Sequence, residues 1–96
     1  MLGFDWDDAK NAENKRKHRI AFEEAETVFY DERAVLIEDD EGVAAEERFV
    51  LIGLSASLRV LVVCHTYRGR EQIIRLISAR KANRAERTDY ETRWKR

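Results

Sequence analysis

Between residues 34 and 78 one local pattern recurs four times: a run rich in β-branched and large apolar residues, closed by a short polar break. The runs are AVLIED (34–39), EERFVLIGLS (46–55), RVLVVCHTY (59–67) and QIIRLIS (72–78). The breaks are DDEG (39–42), ASLR (56–59) and RGRE (68–71), with Gly69 at the flexible position of the last. Runs of this length and composition read as strands, and connections this short join antiparallel neighbours. A four-stranded antiparallel meander is therefore expected. In the second run Phe49, Val50, Leu51 and Ile52 are apolar without alternation, which predicts burial on both faces at the sheet centre.

The flanks of the meander have a helical period. Residues 7–18, DDAKNAENKRKH, place acids first and bases last, complementing the helix dipole, with Ala9 and Ala12 as small contacts. Residues 22–29, FEEAETVF, set Phe22, Ala25, Val28 and Phe29 on one face of a second, short helix. After the last strand, Asn83 and Glu86 make an N-x-x-E capping box that opens a helix to about Arg93, with Ala85, Tyr90 and Trp94 as its apolar contacts. The order α-α-β-β-β-β-α predicts an α+β fold with helices over one sheet face and the other face open. A chain of 96 residues fits one domain spanning 1–96.

Charge is informative once the chain is divided. Residues 1–47 carry 6 Lys and Arg against 15 Asp and Glu, whereas residues 48–96 carry 12 against 4. A total of −1 thus hides a basic C-terminal half, the composition of a nucleic-acid surface or of a dock for an acidic partner. Arg75 stands mid-strand between Ile74 and Leu76, and an arginine there needs water or an anion. Arg80, Lys81 and Arg84 follow where the strand gives way to the helix, whose free N–H groups favour anions. Arginine forks match phosphate oxygens, so this junction can seat a phosphodiester. Equally, Arg75 and Arg80 can pair with acids of the N-terminal half such as Glu47 or Asp5.

Other chemistry is thinly represented. His18 and His65 are far apart, no H-x-x-x-H or C-x-x-C occurs, and the four glycines are isolated, so neither a metal nor a nucleotide cofactor is expected. Cys64, the one cysteine, reads as a buried free thiol, and its neighbour His65 should point to the opposite sheet face. Near neutral pH His65 is the natural proton carrier, although a hydrogen-bonded core role is the default. Lys17 and His18 close the first helix, either as dipole partners or as a basic rim for a nucleic-acid backbone. Trp6 either anchors the N-terminal arm or, with Tyr67, stacks on bases. The N-terminus has neither a basic lead nor an apolar core, and no run is of membrane-spanning length, which predicts a cytoplasmic protein without membrane contact.

The segments FDWDDAKNAENKRKH, FEEAETVF, ERFVLIGLS and RLISARKANRAERTDYE, in this order, resemble the BrnT toxins of bacterial BrnT/BrnA type II toxin–antitoxin systems. S-A-R-K-A followed by E-R-x-x-Y is the most specific piece. The resemblance implies a RelE-like fold and an endoribonuclease that inhibits translation by cleaving RNA. It also implies neutralisation by a BrnA antitoxin with a ribbon-helix-helix element, the complex contacting operator DNA mainly through the antitoxin. Lys17, His18, Glu47, Arg48, Arg75, Ser78, Arg80 and Lys81 match the family's positions. The expected reaction is metal-independent attack of the RNA 2′-OH on the adjacent phosphorus. Arg75 and Arg80 are the expected phosphate clamps, Glu47 or His65 the base, and Lys81 or His18 the proton donor. Lys17, His18, Arg48 and Arg84 are the expected RNA contacts. A non-catalytic RNA-binding or toxin-derived interaction module is the alternative.

Overall fold

A computed structural model describes residues 2–39, 47–70 and 72–93. The elements run β1 (Phe4–Asp5), α1 (Asp8–His18), α2 (Phe22–Ala25), a 3-10 helix (Glu26–Tyr30), β2 (Val35–Asp39), β3 (Arg48–Leu54), β4 (Val60–Arg68), β5 (Ile73–Lys81) and α3 (Arg84–Thr92). The expected turn at 39–42 beyond Asp39, the strand start at Glu46, the turn residue Glu71 and the contact of Trp94 lie outside the described residues.

The four expected strands form the meander, but the sheet is mixed and has five strands, in the order β1-β5-β4-β3-β2. The addition is β1, which pairs in parallel with β5, Phe4 opposite Ile74 and Asp5 opposite Arg75. The last strand continues past Ser78 to Lys81, so Arg80 and Lys81 belong to a strand and not to a strand–helix turn. A β-bulge lies just before the expected strand end at Ser78. Cys64 faces Ser78 and His65 faces Leu76, which leaves Ile77 as the extra residue of β5.

Helices α1 and α2 and the 3-10 helix cover one face. Ile20, Phe22, Ala25 and Val28 pack there on Leu51, Leu61, Val63, Ile74, Leu76 and Ala79. Fully burying each large side chain contributes roughly 1.5–3 kcal/mol. Gly53 belongs to this contact: a Cβ on it would stand 2.8 Å from Val28 Cγ1 and 2.9 Å from Ala34 Cβ. Trp6 packs its ring edge against Phe22 at 5.9 Å. The side of α1 that meets the sheet is polar. Ala9 and Ala12 are exposed, and the buried positions are Asn11 and Asn14. Asn11 accepts from Phe22 N at 2.9 Å and donates to Glu23 at 2.9 Å. Asn14 donates to Ile20 O and Ala79 O at 2.8 Å each, and accepts from Ala79 N at 3.1 Å. Two asparagines three residues apart thus turn a polar helix into a dock, because each satisfies backbone groups that burial would orphan.

The second face is not open throughout. Tyr90 of α3 lies with Ile52 and Val62, flanked by Val35, Val50, Leu54, Val60 and Ala82. Ala85, expected to join it, is exposed. Tyr90 donates its hydroxyl to Asp31 Oδ2 at 2.5 Å, and Asn83 and Glu86 complete the capping box at 2.8 and 2.9 Å. With both faces of β3 covered at this end, the unalternating run 49–52 has its reason.

Candidate nucleic-acid interface

Beyond the reach of α3 the second face carries a polar row. Alternation from Val62 puts Cys64 and Thr66 of β4 on this face, and their partners Ser78 and Arg75 of β5 with them. On β3, Phe49 pairs with His65, so Arg48 falls beside Thr66, and Asp39 faces Arg48 from β2. The row therefore reads Arg48, Thr66, Arg75, Asp5 across β3, β4, β5 and β1. It lies four residues along β4 from Val62, or about 13 Å at strand rise.

Both arginines are half-buried, and Thr66 between them is 6% exposed. The Thr66 hydroxyl donates to Glu47 O at 2.7 Å, which fixes the chain just before Arg48. Arg75 donates from one terminal nitrogen to Asp5 Oδ1 at 2.9 Å, the N-terminal partner foreseen as the structural alternative. A guanidinium has five N–H groups, so most of Arg75 remains for another acceptor. Arg48 has its Nε enclosed without a hydrogen-bond partner among the described residues. With neighbouring strands about 4.8 Å apart, the two Cα atoms are separated by about 10 Å, a span that two arginine side chains can close around one phosphate.

The other expected residues are distributed differently. Arg80 faces Val62 on the second face, but its fork is taken by Glu86 at 2.7 and 2.8 Å. The Glu86 carboxylate raises the Arg80 pKa, and the guanidinium lowers that of Glu86. Arg80 thus ties β5 to the start of α3, where exposed Arg84 is the first helical residue. Lys81 lines a groove with Leu58, Arg59, Ala82, Arg87 and Glu91 at the far end of the sheet. Lys17 and His18 are exposed and border a groove between α1 and β5 that includes Ile77 and Ser78. Glu47 is exposed at the foot of β3, next to the row.

His65 does not join this group. It faces the helix-covered side and has no exposed surface. Its ring packs among Phe29 at 4.8 Å, Tyr67 at 5.4 Å and Phe49 at 6.0 Å. Nδ1 meets Val63 O at 3.3 Å, and Nε2 is enclosed with no partner among the described residues. Burial lowers its pKa, favouring the neutral ring. The expectation that His65 reaches a substrate does not fit this placement, because the whole sheet separates it from the arginine row.

The described residues contain no group of three His, Cys, Asp or Glu placed to hold a metal ion, and no helix long and apolar enough to cross a membrane. The sequence profile described as "Ribonuclease toxin, BrnT, of type II toxin-antitoxin system" matches residues 6–86. The chain belongs to the BrnT family. Membership makes it a toxin of a type II toxin–antitoxin system, in a family described by ribonuclease activity, and implies an antitoxin partner. The 1.1 Å crystal structure of the Brucella abortus ribonuclease toxin BrnT superimposes with a TM-score of 0.66 at 23% identity. The match covers 88% of this chain and 100% of that one, and it shows a shared α+β fold. No curated protein matches the chain. Within this BrnT fold, sequence reasoning missed Thr66 as the centre of the row. Its signal was parity: Thr66 lies one residue from His65 and therefore on the other face.

Proposed function

We propose that this BrnT-family toxin is a metal-independent endoribonuclease that arrests translation by cutting RNA, and that Arg48 and Arg75 hold the scissile phosphate over Thr66. The observation that carries this reading is the pair of half-buried arginines flanking Thr66 on the uncovered part of the second face. The 2′-OH attacks the adjacent phosphorus, the P–O5′ bond breaks, and the products are a 2′,3′-cyclic phosphate and a 5′-OH. Two guanidinium groups stabilise the extra negative charge of the phosphorane, the main requirement of such a reaction. Holding the phosphate in line supplies much of the remainder. Glu47 takes the 2′-OH proton, since it is exposed and adjoins Arg48 in the chain. His18, exposed at the groove beside Ser78 of β5, donates the proton that the leaving 5′ oxygen takes up. Arg80 and Arg84 act at a distance, through α3 and the field of the basic half. A BrnA-type ribbon-helix-helix antitoxin neutralises the toxin, and operator DNA is contacted mainly by that antitoxin.

Asp5 on Arg75 and Glu86 on Arg80 favour a second reading, an RNA-binding or interaction module without catalysis. Purified protein incubated with single-stranded RNA in excess chelator separates the two. Cleavage with 2′,3′-cyclic phosphate ends supports the ribonuclease. Binding with a steep salt dependence and intact RNA supports the module.

A further inference from the structure

The cationic surface continues past the arginine row. Two residues beyond Thr66 on β4, about 7 Å at strand rise, alternation returns Arg68 to the second face. Arg68 is exposed, and its guanidinium has no hydrogen-bond or ion-pair partner among the described residues. The contrast with Arg75 lies at the β1 side of the sheet. Asp5 stands beside Arg75 and occupies one of its terminal nitrogens. Arg68 pairs with Ile73, and the residue beside Ile73 is Gly3, whose carbonyl accepts from Ile74 N at 2.9 Å. Gly3 brings no carboxylate, and a Cβ there would stand 2.7 Å from Ile73 Cδ1. This second row thus reads Arg68, Ile73, Gly3, a charge without a counter-charge. One phosphate held between Arg48 and Arg75 leaves Arg68 unused. The next phosphate of the same strand reaches it, because consecutive phosphates of a nucleic-acid backbone are spaced by about the step from Thr66 to Arg68.

We infer that Arg68 is a second phosphate seat, holding the phosphodiester immediately 5′ of the scissile one. The polarity rests on the ribonuclease reading and on the roles it gives to Glu47 and His18. β3 and β4 are antiparallel, so Glu47, one residue before Arg48, lies on the Arg68 side of the first row. Glu47 takes the proton of the 2′-OH, which belongs to the nucleotide 5′ of the scissile bond. Ser78, in the groove that His18 borders, pairs with Cys64 on the opposite side of that row. The leaving oxygen protonated there belongs to the 3′ nucleotide. RNA therefore crosses the face 5′ to 3′ from Arg68, over Thr66, toward Ser78. The phosphate on Arg68 does not react, so this seat binds substrate and transition state alike. Its loss should raise KM and leave kcat nearly unchanged, whereas Arg48 and Arg75 act on the reacting phosphate itself.

The test uses the purified full chain and a DNA strand with one ribonucleotide at a mapped cleavage site. The phosphate 5′ or 3′ of the scissile one is replaced by an uncharged methylphosphonate. Neutralising the 5′ phosphate should raise KM about tenfold in wild type and in Arg87→Ala, an exposed arginine of α3, but not further in Arg68→Ala. Neutralising the 3′ phosphate should affect all three proteins equally. A second arm measures binding of 2′-O-methyl RNA, which cannot react. There Arg68→Ala should reduce the slope of log K against log salt by about 0.7, the value for one phosphate on a single strand. Equal sensitivity of wild type and Arg68→Ala to the 5′ replacement overturns the inference, as does a fall in kcat at unchanged KM. If no strand is cut, the ribonuclease reading fails and the salt slope alone decides whether Arg68 holds a phosphate. An unchanged slope, or no binding of the RNA, overturns the seat.

Discussion

Replacing His65 with phenylalanine separates a core histidine from a catalytic one. The imidazole has no exposure, one acceptor at 3.3 Å for Nδ1, and an enclosed Nε2 without a partner among the described residues. An enclosed, unsatisfied polar group costs about 1–3 kcal/mol, and a phenyl ring among Phe29, Phe49 and Tyr67 removes that term while keeping a ring of similar size. The pH dependence sharpens the case. Burial lowers the folded pKa below the ordinary 6.5, so the unfolded chain takes up the proton first as the solution is acidified. Stability is full above pH 6.5 and falls as the pH drops from there toward the folded pKa. At pH 5.5 the loss from this residue is at most about 1.4 kcal/mol, the limit for a ring that stays neutral in the folded chain. Urea unfolding at pH 7.5 and 5.5 measures this directly. The wild-type difference should shrink in His65→Phe by no more than that limit, and RNA cleavage at pH 7.5 should persist within about threefold, since the ring is on the far face of the sheet from the arginines. A cleavage rate reduced by about 100-fold in a variant of wild-type stability would refute the reasoning, as would an unchanged difference between the two pH values.

Asn14→Ala orphans Ile20 O and both backbone groups of Ala79, and it should lower the unfolding free energy by about 2–4 kcal/mol in urea, with Asn14→Asp failing to rescue because it has no donor for the two carbonyls. Tyr90→Phe leaves Asp31 its bond from Leu54 N at 2.8 Å, so only the hydroxyl contact is lost, about 1.5 kcal/mol and roughly 6–12 °C in Tm. Burial, reinforced by the Asp31 carboxylate, raises the Tyr90 phenol to about 12. Ultraviolet titration should therefore show one of the three tyrosines ionising near that pH, and stability should fall as pH rises past 10, where the unfolded phenol ionises first.

The strands between 34 and 78 and the capping box at Asn83 were legible because each is written in a local period or spacing. β1 was not, because two residues pairing in parallel with a strand 70 positions away leave no local pattern. The α1 dock was hidden for a related reason: Asn11 and Asn14 look like solvated helix residues until the backbone groups they satisfy are in place. The run QIIRLIS ends at Ser78, whereas the strand itself passes a bulge at Ile77 and continues to Lys81. The basic half of the chain placed arginines on β3 and β5 but did not reveal each one's partner. Arg75 met Asp5, one of the alternatives, while Arg80 met the capping-box glutamate just six residues downstream. Thr66 was missed because it is not unusual alone, and Arg48, expected as an RNA contact, becomes a neighbour of Thr66 and Arg75 only through sheet register.

The central claim is that Arg48 and Arg75 seat the phosphate of an RNA substrate. Single-turnover cleavage of single-stranded RNA by wild type, Arg75→Ala, Arg48→Ala and Arg80→Ala, each verified as folded by circular dichroism and assayed in chelator, tests it most directly. The account predicts a rate loss of at least about 100-fold in Arg75→Ala and in Arg48→Ala, with Arg80→Ala losing less at a temperature where α3 stays docked. Full cleavage by an Arg48→Ala, Arg75→Ala double variant, or a loss confined to Arg80→Ala, would contradict it.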